Sequence, residues 1–354
     1  MFVSSITILN GTKFKTIWIL LLRKMFGKTK PRKMNKVLMI GCILMSVSTF
    51  AQKPDTLIKK LDSLSKKTDS AGNQSNNTNP AAYNENTRLR FNSYFILLGS
   101  DVKQAFTKPF HMTKRDWITT GKFALVAGGV ALADESIQKY ALNLRNHNPD
   151  LQNVSKYVTN FGGLYEAYIL GGLGAYGFAF KNEKMQTTTL LATQAYITGG
   201  AIESVLKFLT GRQRPYFTDS TRVQAEPIFH GPFYKTPKDA SGKRTNSSFP
   251  SGHTTVAFAA ATVFAKEYGN KPLVGILSYS AATLIGLSRI TENKHWATDV
   301  LCGAAVGYLA GKLVVNNYHR YAKLKAPQLK KNTVTFNLQY NYGTLMPGLI
   351  YTFR

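Results

Sequence analysis

Apolar residues gather into six long blocks along the chain, roughly 117–133, 160–180, 188–209, 253–267, 272–288 and 296–315, each rich in Ala, Gly and Leu. Every block is long enough for a helix, and their succession, broken by shorter polar stretches, predicts an antiparallel helical bundle. The paired glycines Gly128-Gly129, Gly171-Gly172 and Gly199-Gly200 lower helix propensity and are expected where neighbouring helices approach closely. Loop glycines are the other reading. Beyond the last block the period changes: Val334, Phe336, Leu338, Tyr340 and Tyr342 alternate with Thr335, Asn337, Gln339 and Asn341. After Gly343 to Gly348 a second run covers Leu349 to Phe353. That alternation predicts a β-hairpin. The expected fold class is all-α, an antiparallel six-helix bundle core with a small C-terminal β-hairpin.

The segment before the bundle has a different texture. Residues 52–90 are rich in Lys and Ser and contain Ser75-Asn76-Asn77-Thr78-Asn79-Pro80, a composition that buries too little apolar surface to fold alone, so a flexible linker is expected. Upstream, Asn35-Lys36 precede an apolar run from Val37 to Val47 and then Ser48-Thr49-Phe50-Ala51, the form of a secretory signal cleaved after Ala51. Residues before Met34 read as upstream sequence from a misassigned start. The chain thus divides into an upstream segment with a signal peptide (1–51), a linker (52–90), a helical domain (91–325) and a hairpin (326–354).

Composition narrows the partners. With 354 residues, 44% of them hydrophobic, the chain can bury a full core, and its net charge of +27 attracts anions. The charge is spread over tail, linker and bundle rather than drawn into a stripe, which disfavours nucleic acid and leaves acidic lipid headgroups and phosphorylated substrates. One of the two cysteines, Cys42, lies inside the expected signal, so no internal disulfide is expected. Most uninterrupted apolar stretches fall short of the about 20 residues that a membrane span needs. Lys122, Glu166 and Glu203 interrupt three of them, and block 160–180 is the best candidate for a span. A chain that starts outside after cleavage would place the end of the third block in the cytoplasm after three crossings. The expected location is therefore the cell envelope, with the bundle in the periplasm in contact with a membrane surface; an integral inner-membrane protein is the alternative.

Three short groups carry candidate chemistry. Lys207 and Arg214 are seven apart, so both project from one face near the end of the third helix, which Pro215 would terminate. Ser251 can cap the fourth helix, and Gly252 lets bare backbone N–H groups approach an anion at the positive helix end. His253, in the first turn, can donate a proton to a leaving oxygen. Before the sixth helix comes Arg289, then His295 and Asp299 four apart, where the carboxylate accepts from one ring nitrogen while the other points into the site. Such a pair is a nucleophile with its orienting group. Taken singly, the groups also read as a solvated basic helix end, an ordinary capped helix and a buried structural His–Asp bond. In an up-and-down bundle, however, all of them lie at the same end.

Lys207-x6-Arg214-Pro215, Pro250-Ser251-Gly252-His253 and Ser288-Arg289-x5-His295-x3-Asp299 together resemble the three-part signature of the type 2 phosphatidic acid phosphatase and vanadium haloperoxidase superfamily, over residues 110–315. The resemblance implies that Lys207, Arg214 and Arg289 bind phosphate oxygens while Ser251 and Gly252 add hydrogen bonds. It also implies that His295 attacks phosphorus, Asp299 orients it and His253 protonates the leaving alkoxide. The implied activity is a metal-independent phosphatase acting on phosphomonoesters or pyrophosphates, of lipids or of small phosphate esters, through a phosphohistidine, with no cofactor and no metal site. A vanadium-dependent haloperoxidase and a non-catalytic acidic-lipid binder are the alternatives. Tyr216, Phe217, Phe229, Phe233 and Tyr234 are expected to shape the entrance.

Overall fold

The computed structural model describes Lys59, Tyr83, residues 87–216, 226–234 and 247–325, and the backbone of 333–341 and 344–352. The expected signal peptide and its cleavage site lie outside the described residues. Among these residues the chain forms nine α-helices: α1 (Phe91–Thr107), α2 (Lys114–Leu132), α3 (Asp134–Asn146), α4 (Pro149–Asn160), α5 (Leu164–Ala179), α6 (Glu183–Thr210), α7 (Gly252–Glu267), α8 (Pro272–Thr291) and α9 (Ala297–Lys325). Six of them coincide with the apolar blocks. The other three, α1, α3 and α4, correct the count of six. Their amphipathic sequences hold too few consecutive apolar residues to stand out as blocks, as in Pro149–Asn160 with its polar Gln152, Asn153, Ser155 and Lys156.

Helix α7 lies at the centre, packed by α6, α8 and α9. Its sequence from Thr254 to Thr262 is dominated by Ala, Thr and Val, almost all buried, so its neighbours come close. The closest approach is made by α9. A Cβ on Gly307 would stand 2.2 Å from the Thr255 carbonyl oxygen, and those on Gly303 and Gly311 would stand 2.7 and 2.6 Å from the carbonyls of Ser251 and Ala259. This row, one glycine per helical turn, does what the paired glycines were expected to do. Gly128, Gly129, Gly171, Gly172 and Gly200 have nothing within 4 Å of a Cβ position, and of the pairs only Gly199 faces a neighbour. Around this contact Leu97, Leu191, Ala195, Val263, Val314, Val315 and Tyr318 form the apolar core.

The packed domain also begins earlier than residue 91. Tyr83 and Leu89 join the core, Tyr83 bonds the buried Glu267 and the Tyr318 hydroxyl donates to the Thr87 carbonyl, so part of the expected linker is docked. At the other terminus, β1 (Thr333–Asn341) and β2 (Thr344–Thr352) pair antiparallel, with Val334 opposite Tyr351 and Asn341 opposite Thr344. Strand β2 starts at Thr344 rather than Leu349, which puts Pro347 opposite Leu338. A two-stranded ladder tolerates this, because each strand has an outer edge where a missing N–H goes unneeded.

Among the described residues, two helices are long and apolar enough to cross a membrane, Pro272–Thr291 and the Ala297–Ala322 part of α9. Helix α5, the segment singled out from the sequence, has only 16 residues, about 24 Å at 1.5 Å per residue, and is a weaker candidate.

Candidate active site

The expected convergence is present, and it gathers around His295. This imidazole is 1% exposed and sits just ahead of α9, whose first turn contributes Asp299. Asp299 Oδ2 lies 3.5 Å from His295 Nδ1 and accepts the Trp296 backbone N–H at 2.9 Å and the Ser248 hydroxyl. The same Ser248 Oγ is 3.4 Å from Nδ1, so hydroxyl and carboxylate together face that nitrogen. Burial pushes the His295 pKa down to about 3, against the opposing pull of Asp299, with Arg214 and Arg289 adding to the depression. The ring is therefore neutral at pH 7, and its Nε2 retains a lone pair for attack.

Asp299 is itself held by a residue that the sequence motifs did not single out. Arg212 is fully buried and donates from Nη1 to Asp299 Oδ1 at 2.6 Å and from Nη2 to Asp134 Oδ2 at 2.6 Å. Asp134 Oδ1 in turn accepts the Thr298 N–H at 2.9 Å, fastening the start of α3 to the start of α9. Phe229, expected at the entrance, is half exposed, with its ring 4.6 Å from the Arg212 guanidinium and against Phe249. The two Nη groups are each matched by a carboxylate, which offsets part of the cost of burying the three charges.

The cations expected to bind phosphate lie beside this pair. Helix α6 does not run to Pro215. It stops at Thr210, where Gly211 takes a left-handed φ of 56°, and a Cβ there would stand 2.5 Å from the Gly231 carbonyl. Lys207 therefore projects from the last turn of α6, whereas Arg214 reaches the site from the loop beyond it. Lys207, Arg214 and Arg289 all act electrostatically on the His253 ring, and burial lowers the Arg214 pKa. Arg289 Nη1 bonds Thr159 Oγ1 of α4 at 2.8 Å, while its buried Nε has no partner.

Ser251 does not cap α7. Its hydroxyl accepts from Thr254 Oγ1 at 2.8 Å and its backbone N–H donates to the Asp299 carbonyl, which leaves the first turn of α7 with no side-chain cap. An uncapped helix start beside three cations is suited to hold an anion. His253 is seated by bare backbone: a Cβ on Gly162 would stand 2.8 Å from its Cδ2, and Gly163, at φ 75°, lies against its Nε2. The helices missing from the sequence reading brace this end of the bundle. Gln138 of α3 donates to the Ile290 carbonyl at 3.0 Å and Arg145 lies 3.4 Å from Glu292, holding the end of α8.

All eight residues expected to carry chemistry thus lie at one end of one bundle, three cations and an uncapped helix start with a neutral, backed histidine at their side. Residues 188–323 match the family model of the PAP2 superfamily. Over 149 residues the chain is 36% identical to a lipid A 1-phosphatase of Porphyromonas gingivalis, covering 41% of this chain and 27% of that protein. Over 202 residues it is 28% identical to phosphatidylglycerophosphatase B of Bacillus subtilis, covering 54% of this chain and 86% of that protein. It also aligns with the crystal structure of a transmembrane PAP2-type phosphatidylglycerolphosphate phosphatase from Bacillus subtilis, at a TM-score of 0.40 and 24% identity, over 59% of this chain and 95% of that one. The chain spans half or less of the length of the first curated relatives it matches.

Proposed function

We propose that this protein is a membrane-embedded lipid phosphate phosphatase that works without a metal ion, through a phosphohistidine on His295. The observation that carries the reading is the buried, neutral His295, backed by Asp299 and set among Lys207, Arg214, Arg289 and the open start of α7. Relatives named for hydrolysis of lipid A 1-phosphate and phosphatidylglycerophosphate support a phosphorylated lipid as the substrate.

The chemistry follows from the charges. Phosphoryl transfer needs in-line placement and compensation of charge on the equatorial oxygens, and three cations with a helix N-terminus supply both. His295 Nε2 attacks phosphorus as the ester P–O bond breaks, and the leaving oxygen takes a proton from His253. Burial and the cations push the pKa of this imidazole down to about 3 in the free site, so it gains that proton as the negative charge of the phosphate arrives beside it. Water, losing its proton to the same His253, then attacks the phosphohistidine and releases inorganic phosphate and the free histidine. Asp299 fixes the tautomer of His295 throughout and stabilises the charge that develops on it.

The apolar exterior supports the membrane part of the proposal. Leu273, Ile276, Leu277, Leu284 and Leu287 of α8 point outward, as do Trp117, Leu125 and Val126 of α2 and Tyr168, Ile169 and Phe178 of α5. That much outward-facing apolar surface suits acyl chains, not water, and supports a bundle set into the membrane over one resting on it.

The test is an assay of the purified full chain against phosphatidic acid, phosphatidylglycerophosphate, a lipid A 1-phosphate and a soluble aryl phosphate. Turnover of at least one phospholipid, unchanged by EDTA and lost in His295→Ala together with acid-labile labelling of the protein, is expected. A fully active His295→Ala enzyme, or strict dependence on Mg²⁺, would overturn the mechanism.

A further inference from the structure

One acidic side chain stands among the cations that the proposed mechanism needs. Glu203, one turn before Lys207 on α6, closes an ion pair with the Lys207 ammonium group, and both side chains are mostly buried, at 13% and 18% exposure. The same Glu203 Oε1 lies 2.7 Å from the position that a Cβ on Gly252 would take, and Lys207 Nζ lies 3.7 Å from it. The carboxylate therefore rests against the first residue of α7, at the uncapped helix start, and on the cation that the resemblance assigns to phosphate. No other residue could replace Gly252 without displacing it. Its second oxygen faces outward, 3.4 Å from the exposed Ser204 hydroxyl, so rotation of the side chain toward Ser204 leads out of the seat.

We infer that Glu203 is a built-in competitor of the phosphate group: its carboxylate occupies the anion seat between turnovers and must leave Lys207 when a phosphate arrives. The inference rests on the phosphatase reading and adds to it a residue that sets how tightly the seat holds phosphate. Two anions cannot share one ammonium group at contact distance in a partly desolvated site without strong repulsion. An incoming phosphate dianion thus gains Lys207 only by breaking the Glu203 contact, which weakens its binding. The returning carboxylate in turn displaces inorganic phosphate once the ester has been cleaved. Three cations and a helix start with no such competitor would retain the product. Glu203 is a positioning residue in this account, since it acts on phosphate through Lys207 and through occupancy of the seat.

The experiment measures binding rather than turnover. Orthovanadate and inorganic phosphate are titrated calorimetrically into the detergent-solubilised full chain, as wild type and as Glu203→Gln. The glutamine keeps an oxygen that accepts from Lys207 but carries no charge, so vanadate and phosphate should bind about tenfold more tightly or better, and product inhibition by phosphate should tighten in parallel. Glu203→Asp, whose shorter carboxylate does not span the gap to Lys207 over Gly252, should move in the same direction and serves if the glutamine variant does not fold. Equal or weaker anion binding by the variants would overturn the inference and mark Glu203 as a mere support for Lys207, with the phosphatase reading intact. Absence of anion binding by the wild type as well would take down both.

Discussion

At the residue scale the site depends on how firmly Asp299 is held, and Arg212 is the means. A guanidinium spans the two carboxylates of Asp134 and Asp299 with its separate Nη groups, whereas an ammonium is a single point charge. Arg212→Lys is accordingly expected to keep the fold but free Asp299 to rotate, lowering kcat about 100-fold through loss of the fixed His295 orientation. KM and vanadate affinity, set by Lys207, Arg214 and Arg289, should stay near the wild-type values, and steady-state kinetics beside a vanadate titration checks the split. Arg212→Ala would leave two buried carboxylates unpaired and is expected to cost about 3–5 kcal/mol in unfolding measurements. His295 and Asp299 were legible in the sequence because they stand four apart at one helix start, and His253 because it follows Ser251-Gly252 at the start of another. Arg212 was not, because its partners lie 78 and 87 residues away and nothing local marks it as buried. Glu203 was visible only as a charge interrupting an apolar block. Its contact with Gly252 exists only once α6 and α7 are packed.

Among the elements, the contact between α7 and α9 governs the geometry of the site, since each of them starts at the proposed phosphate seat. The row Gly303, Gly307, Gly311 lets the two backbones meet, and a methyl group on Gly307 has no room beside the Thr255 carbonyl at 2.2 Å. Gly307→Ala should therefore push the helices apart, with a loss of about 1–3 kcal/mol or more in stability and a fall in activity. Gly200→Ala, where a Cβ meets nothing within 4 Å, should be neutral or stabilise α6 by up to about 1 kcal/mol. Thermal unfolding of the two variants in one detergent compares them directly. The six long helices were legible because apolar blocks of such length leave few alternatives. The tightest contact was misassigned because doubled glycines were weighed above a single glycine repeated every four residues, which alone stays on one face of a helix. The short α3 and α4 escaped notice for a different reason. Their task is to brace α8 with polar bonds such as Gln138 to Ile290, which leave no apolar stretch to read.

For the whole molecule the outward-facing leucines and aromatics decide how it meets its surroundings. A chain with Leu273, Ile276, Leu277, Leu284 and Leu287 on the outside of one helix is expected to resist extraction by high salt or alkaline carbonate. Only detergent that dissolves the bilayer should release it, and its appearance in the carbonate supernatant would restore the picture of a soluble bundle at the membrane surface. Charged positions in the blocks had weighed against spans. Glu166 is 94% buried and Glu203 pairs with Lys207, so those two charges face the interior, whereas Lys122 of α2 is exposed. Periodicity alone does not tell an inward charge from an outward one when a block is apolar all round.

The docking of Tyr83 on Glu267 has a directional consequence. Glu267 ends α7 and Gly252 begins it, so the chain that leads into the bundle is fastened at one end of a 16-residue rod while the phosphate seat opens at the other. Under the proposed lipid phosphatase reading, with the bundle set into a bilayer, this polarity would make the enzyme sided: headgroups would be taken from the leaflet facing away from Tyr83.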